Sequence, residues 1–162
     1  MTIEIRPIEP HQIAETKKVI LSVARNIYEW PEPLEEIIRK FDERGELGDI
    51  DDFGAYRPES HGLFLVAMDG ERVVGTGAVR RVGEDTAELK RLWLLEEYHG
   101  KGIGYRMVQT LLQFARAAGY RRMRLQSDIR SVRALRFYER VGFHVIGCQG
   151  EDPEDVCMEM GI

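Results

Sequence analysis

The sequence predicts a single α+β (mixed α/β) domain on one mixed, mostly antiparallel sheet. Three observations carry this reading. The apolar segments alternate in period, giving the order β-α-α-β-β-β-α-β-α-β-β. Asp69-Gly70 joins two apolar runs as a tight-turn signal, which marks an antiparallel meander. The later strand–helix–strand order marks a parallel step. The length of 162 residues suits one domain spanning residues 1–162, with room for a real core.

The elements follow in order. Ile3-Glu-Ile-Arg6 alternates as a short strand, stopped by Pro7 and Pro10. Ile13 to Trp30 carries a helical apolar pattern that Pro31 and Pro33 end. Leu34 to Phe41 repeats that pattern as a second helix. Residues 42–60 are acidic with little periodicity, and a structureless stretch of that length is often functional. Leu63–Met68 and Arg72–Arg80 are the paired strands. A turn at Val82–Thr86 leads into the strand Ala87–Leu95. Gly100, Gly102 and Gly104 follow, opening a helix with Met107, Val108, Leu111, Leu112, Ala115 and Ala118 on one side, ended by Gly119. Arg122–Gln126 is a strand and Arg130–Val141 a helix closed by Gly142. Phe143–Cys148 and Asp155–Met160 form a last hairpin around an acidic loop.

Composition sets bounds. Apolar residues make up 43% and charged residues 31%, as in a soluble globular chain. The apolar runs are too short to span a bilayer, and Met-Thr-Ile-Glu-Ile-Arg lacks a secretory apolar region, so a cytoplasmic protein without membrane contact is expected. The net charge of −5 argues against a general nucleic-acid binder. Cys148 and Cys157 make no disulfide framework or zinc spacing and read as two reduced thiols. The four histidines show no metal-ligand spacing, and no metal is expected. Basic residues cluster at Arg116–Arg124 and Arg130–Arg140, which fits an anionic cofactor or a solvated helix face equally.

The glycine turn is the chemical centre of the sequence. A glycine-rich turn between a strand and a helix N-terminus aims backbone N–H groups and the positive end of the helix dipole at an anion. The P-loop pattern is absent, and Tyr105 stands where the third glycine of a dinucleotide fingerprint belongs. A nucleotide-binding regulatory domain therefore rests on the turn alone.

His99-Gly-Lys-Gly102-Ile-Gly104 resembles the Gln/Arg-x-x-Gly-x-Gly/Ala motif of the GCN5-related N-acetyltransferases, with His99 in place of Arg or Gln. Ser131-Val-Arg-Ala-Leu-Arg-Phe-Tyr138-Glu-Arg-Val-Gly-Phe143 resembles that family's later motif, with Ser131 in place of Asn. The resemblance covers residues 60–160 well and the first sixty in outline. It implies the acyl-CoA N-acyltransferase (GNAT) fold, with a central splayed parallel strand pair flanked by helices. It also implies acetyl-CoA as co-substrate, a primary amine as acceptor, and direct attack in a ternary complex. The pantetheine arm is then expected on Leu92, Trp93 and Leu94. The pyrophosphate is expected on the N–H groups of Gly100, Lys101, Gly102, Ile103, Gly104 and Tyr105, with Lys101 and Arg106 as possible added charge. His99, Ser131 and Arg133 are further cofactor candidates.

Acetyl transfer needs a base for an amine whose pKa is about 10 and a proton donor for the departing thiolate. Glu88 is the candidate base; its alternative is a glutamate paired with Lys90 or Arg91. Tyr138 is the candidate donor; its alternative is core packing. The acceptor surface would draw on Tyr28, Trp30, Glu32, Asp49, Asp51, Asp52 and Tyr56, with Glu151, Asp152, Glu154 and Asp155. These suit a cationic amine, or are solvated loop acids, while Arg80 and Arg91 suit a carboxylate. A small amine or amino-acid-like acceptor is the leading expectation. A peptide N-acetyltransferase, or an acyl-CoA-binding module without catalysis, stands beside it. A homodimer edge at the last hairpin is implied by the family alone.

Overall fold

The computed structural model describes residues 2–52 and 54–162. Seven strands form one sheet: β1 (Ile3–Pro7), β2 (Leu63–Asp69), β3 (Arg72–Arg81), β4 (Thr86–Leu94), β5 (Arg122–Asp128), β6 (His144–Ile146) and β7 (Asp155–Gly161). Their spatial order is β1-β2-β3-β4-β5-β7-β6. Every neighbouring pair is antiparallel except β4 and β5. The mixed, mostly antiparallel sheet expected from the sequence is present.

Helices cover both faces. On one face lie α1 (Ile13–Tyr28), α2 (Leu34–Arg44) and the short α3 (Gly48–Asp52), packed through Ile20, Leu21, Ile37 and Ile50 on Phe64, Val66 and Met68. On the other lie α4 (Ile103–Ala117) and α5 (Val132–Val141), packed through Met107, Leu111, Leu112 and Tyr138 on Leu65, Ala67, Ala87 and Leu89. Successive strand residues point to opposite faces. β2 therefore reads as an unbroken apolar run because both of its faces are buried.

Several element ends differ from the sequence-based expectation. α1 stops at Tyr28, two residues early, because Glu29 takes a left-handed conformation that ends the helix before the prolines. α2 runs past Phe41 to Arg44, since nothing breaks it until Gly45, at φ 66°, and Arg39 pairs with Glu43 at 2.9 Å along its exposed side. α5 starts at Val132, after a bend in which the Ser131 N–H bonds the Asp128 carbonyl at 2.9 Å.

Residues 42–52 and 54–60 are held by anchors rather than by periodicity. Lys17 of α1 reaches Asp51 at 2.5 Å and Asp42 at 3.3 Å. The Tyr56 ring meets Phe64 edge-on at 5.3 Å. Short α3 and 3-10 turns fill a stretch that has no amphipathic signature of its own.

The reduced-thiol expectation is corrected. Cys148 and Cys157 form a disulfide with Cα atoms 5.4 Å apart, closing the β6–β7 hairpin. A separation of nine residues makes no framework in a sequence, but antiparallel pairing of Ile146 with Cys157 brings the two thiols together.

Candidate active-site cleft

The cleft begins where β4 and β5 part. They pair in parallel over only three registers: Thr86 with Arg122, Ala87 with Met123, and Glu88 with Arg124. The Asp85 carbonyl holds the base of this junction, accepting from the N–H groups of Arg121 and Arg122. Beyond Glu88, β4 stays with β3 as far as Leu94, and β5 stays with β7 as far as Asp128. The facing edges of residues 89–94 and 125–128 have no strand partner. A groove of about 1390 Å³ fills the gap, running from the C-terminal end of α1 to the glycine turn and α5.

A bulge in β4 sets what faces this groove. Thr76 pairs with Trp93 while Ala78 pairs with Lys90, so Arg91 and Leu92 together face Gly77. Arg91 takes φ 55°, and its carbonyl accepts from Thr76 Oγ1 at 2.5 Å. The extra residue reverses the alternation. Before it, Ala87 and Leu89 face α4; after it, Leu92 and Leu94 do, and Trp93 turns toward α1 and α2.

Glu88 lies at the apex of the gap, on the α1–α2 face, with Arg80 Nε 2.8 Å from its Oε1. Its ion-pair partner is thus Arg80 rather than Lys90 or Arg91. Tyr138 lies on the opposite face, 7% exposed, within the α4–α5 core. It lines the groove, and burial pushes its phenol well above the ordinary value. It is therefore a neutral O–H at physiological pH, and it gives no hydrogen bond to any described residue. The sheet separates the carboxylate from the phenol, and the gap joins their two sides.

At the far end, Gly100 and Gly102 adopt φ 77° and 78°, and a Cβ on either would meet open space. The N–H groups of residues 100–105 make no backbone hydrogen bond; the first helical bond of α4 runs from Arg106 N–H to the Gly102 carbonyl at 3.0 Å. The turn thus offers unpaired N–H donors beside a helix N-terminus, the chemistry of an anion site. Lys101 sits 5.7 Å over the Tyr98 ring, whose hydroxyl donates to Asp69 at 2.6 Å, so the turn is tied to the end of β2.

Other candidates fall differently. His99 Nε2 lies 2.8 Å from the Leu94 carbonyl, which only accepts, so Nε2 carries the hydrogen and pins β4 to the turn. His99 is thereby committed to the backbone rather than free to donate to a phosphate from Nε2. Arg106 donates from one guanidinium nitrogen to the Ile3 carbonyl at 3.0 Å. Ser131 and Arg133 line the groove, Ser131 buried and Arg133 exposed.

Several acceptor-side residues are held by other residues of this chain. Asp49 receives a fork from Arg91 at 2.7 and 3.2 Å and the Tyr56 hydroxyl at 2.6 Å. Burial alone would raise the Asp49 carboxyl, but these donors hold it below the usual range. Arg130 pairs with Asp128 and Glu154 and covers the Tyr28 ring at 4.5 Å. Arg122 and Arg124 pair with Glu159. Arg122, Arg124 and Arg130 are thus held by acids of this chain, which accounts for part of the clustering in the sequence.

The Acetyltransferase (GNAT) family profile matches residues 24–143, from late in α1 to the end of α5. The chain belongs to the GNAT acetyltransferase family. Human N-acetyltransferase 8B is 35% identical over 109 residues, covering 64% of this chain and 47% of that protein. An uncharacterized N-acetyltransferase of Escherichia coli, YjgM, is 28% identical over 104 residues, covering 60% of this chain and 62% of that protein. The chain thus spans about half to three fifths of these relatives. Among solved structures, PaiA N-acetyltransferase of Thermoplasma acidophilum, in complex with coenzyme A, superposes with TM-score 0.82 at 24% identity over the whole of both chains. An acetyltransferase of Streptococcus agalactiae superposes with TM-score 0.81 at 24% identity, over 99% of this chain and 98% of that one. These likenesses establish the GNAT fold.

The bulge, the Asp49–Arg91–Tyr56 cluster and the Arg130–Tyr28 stack were not legible in the sequence, because each joins segments far apart in it. Asp49→Asn in this GNAT chain is expected to lower stability by about 2 kcal/mol at pH 7, since a charged hydrogen-bonded partner is lost. The wild-type advantage, measured by urea unfolding, is full at neutral pH. It shrinks as pH falls below about 4, because the depressed carboxyl must be protonated there.

Proposed function

We propose that residues 1–162 act as one acetyl-CoA-dependent N-acetyltransferase domain. It moves an acetyl group to the primary amine of a small or amino-acid-like acceptor by direct attack in a ternary complex. One observation carries this reading: β4 and β5 part at Glu88, and the gap leads to an open turn of six unpaired N–H groups. The turn fits a pyrophosphate, because its glycines leave no Cβ in the cradle. The unpaired strand edges beside Leu92, Trp93 and Leu94 fit an amide-bearing arm such as pantetheine, and Ser131 and Arg133 border the same groove. The coenzyme A complex of the Thermoplasma protein supports this assignment.

Acetyl-CoA supplies an activated thioester; the chain supplies position and proton control. Glu88 faces the α1–α2 side, from which an amine reaches the gap. Its Oε1 is held by Arg80, which fixes the carboxylate and leaves Oε2 to take a proton from the amine, directly or through water. Tyr138 faces the other side as a neutral hydroxyl with no partner among the described residues, suited to give its proton to a leaving thiolate. Because burial raises its pKa, the phenol stays protonated at least up to its ordinary value of about 10. No helix among the described residues is long and apolar enough to cross a membrane.

Calorimetric titration with acetyl-CoA tests the reading. Binding by the wild type, lost at least 100-fold in Gly102→Glu, is the expected result, since a carboxylate and a strained left-handed side chain then occupy the anion cradle. Absence of binding by the wild type would remove the proposal. Glu88→Gln is expected to cut thiol release about 100-fold at pH 7 and to recover toward pH 10, where the amine deprotonates unaided. An unchanged pH profile would contradict the base role. Tyr138→Phe is expected to cut kcat about 10- to 100-fold with acetyl-CoA affinity within twofold; weakened affinity at normal turnover would assign Tyr138 to binding alone.

A further inference from the structure

The α1–α2 side of the gap holds one unbalanced charge. Three cations converge there, Arg80, Lys90 and Arg91, with two carboxylates, Glu88 and Asp49. Arg80 is paired with Glu88 at 2.8 Å and Arg91 with Asp49 at 2.7 Å. Among the described residues Lys90 has no ion pair and no hydrogen bond, although it is half-buried and lines the groove. Its register partner on β3 is Ala78, whose small side chain leaves the ammonium no anion across the sheet. Burial, and then Arg80 and Arg91, lower the Lys90 pKa; Glu88 and Asp49 oppose this only in part. A half-buried ammonium between two guanidiniums is unfavourable unless an anion joins it.

We propose that Lys90 anchors a carboxylate of the acceptor, so that the acceptor is an amino acid or a close analogue. This rests on the acetyl-transfer reading above and specifies its second substrate. Lys90 lies two residues from Glu88 on the same strand face, a Cα spacing of about 6.6 Å. Their converging side chains suit one small molecule with its amine at Glu88 and its carboxylate at Lys90. Arg80 and Arg91 add attraction but hold carboxylates already. Polyamines and other purely cationic acceptors are disfavoured by the same excess charge.

The test compares the L-amino acids with their C-terminal amides in a thiol-release assay with acetyl-CoA, with spermidine as a cationic control. Wild type, Lys90→Met and Lys90→Arg are measured, and each is titrated with acetyl-CoA. At least one amino acid is expected to exceed its amide by 10-fold or more in kcat/KM. Lys90→Met is expected to collapse that ratio toward one through a KM rise of about 10- to 100-fold, and Lys90→Arg to retain part of it. Several results overturn the inference in a protein that binds acetyl-CoA: equal use of acids and amides, turnover of spermidine alone, no turnover of any amino acid, or acetylation of Lys90 itself by mass spectrometry. An equal loss on both members of each pair in Lys90→Met assigns the residue to structure and also overturns it. A wild type that does not bind acetyl-CoA fails the acetyl-transfer reading instead, a separate and visible outcome.

Discussion

The site depends on how briefly β4 and β5 pair. Three registers hold them, fastened at the base by the Asp85 carbonyl, and then each strand follows its other neighbour. A sheet normally satisfies its backbone groups strand to strand. Here the N–H and C=O groups along one seam have no strand partner among the described residues, at a place where both faces are covered by helices. The seam stays open because the flanking pairs are long. β4 is fixed to β3 as far as Leu94, and β5 to β7 as far as Asp128.

The β4 bulge makes the seam directional. An uninterrupted strand would keep one set of side chains toward α4 along its whole length. The extra residue at Arg91 lets Glu88 and Lys90 face α1 and α2 while Leu92 and Leu94 anchor the strand in the opposite core. A non-glycine residue at φ 55° is costly in isolation. Two interactions hold it: the Thr76 hydroxyl on its carbonyl and the Asp49 carboxylate on its guanidinium. Asp49 is itself fixed by Tyr56, so these two residues serve as a brace for β4. The strain and its compensation sit beside the candidate reacting groups, as expected where geometry is functional.

Electrostatics divides the groove. The end at the glycine turn presents backbone donors and a helix N-terminus, a diffuse positive field suited to phosphate oxygens. The apex presents ion pairs that mostly cancel, with Lys90 left over. Arg72, Arg80, Arg91 and Arg130 around the groove are each held by a carboxylate or an aromatic ring, as with Arg130 on Tyr28. Lys90 differs from Arg80 and Arg91 beside it in having no such partner among the described residues.

Much of the fold was legible in the sequence, for reasons that act over short range. Alternation placed β1, apolar runs bounded by turns placed β2, β3 and β4, the 3.6-residue period placed α1, α2 and α4, and Asp69-Gly70 and Gly119 ended their elements where turn chemistry requires. The glycine turn was legible as a turn, because Gly100 and Gly102 take the positive φ that glycine favours. Tertiary structure decided the rest. The splay, the bulge, the partners of Glu88, the disulfide and the isolation of Lys90 each depend on register between segments tens of residues apart. Local sequence periodicity carries no information about which strand a neighbour follows after the third pair. Packing against two helical layers settles that, and with it where a cofactor and an acceptor can meet.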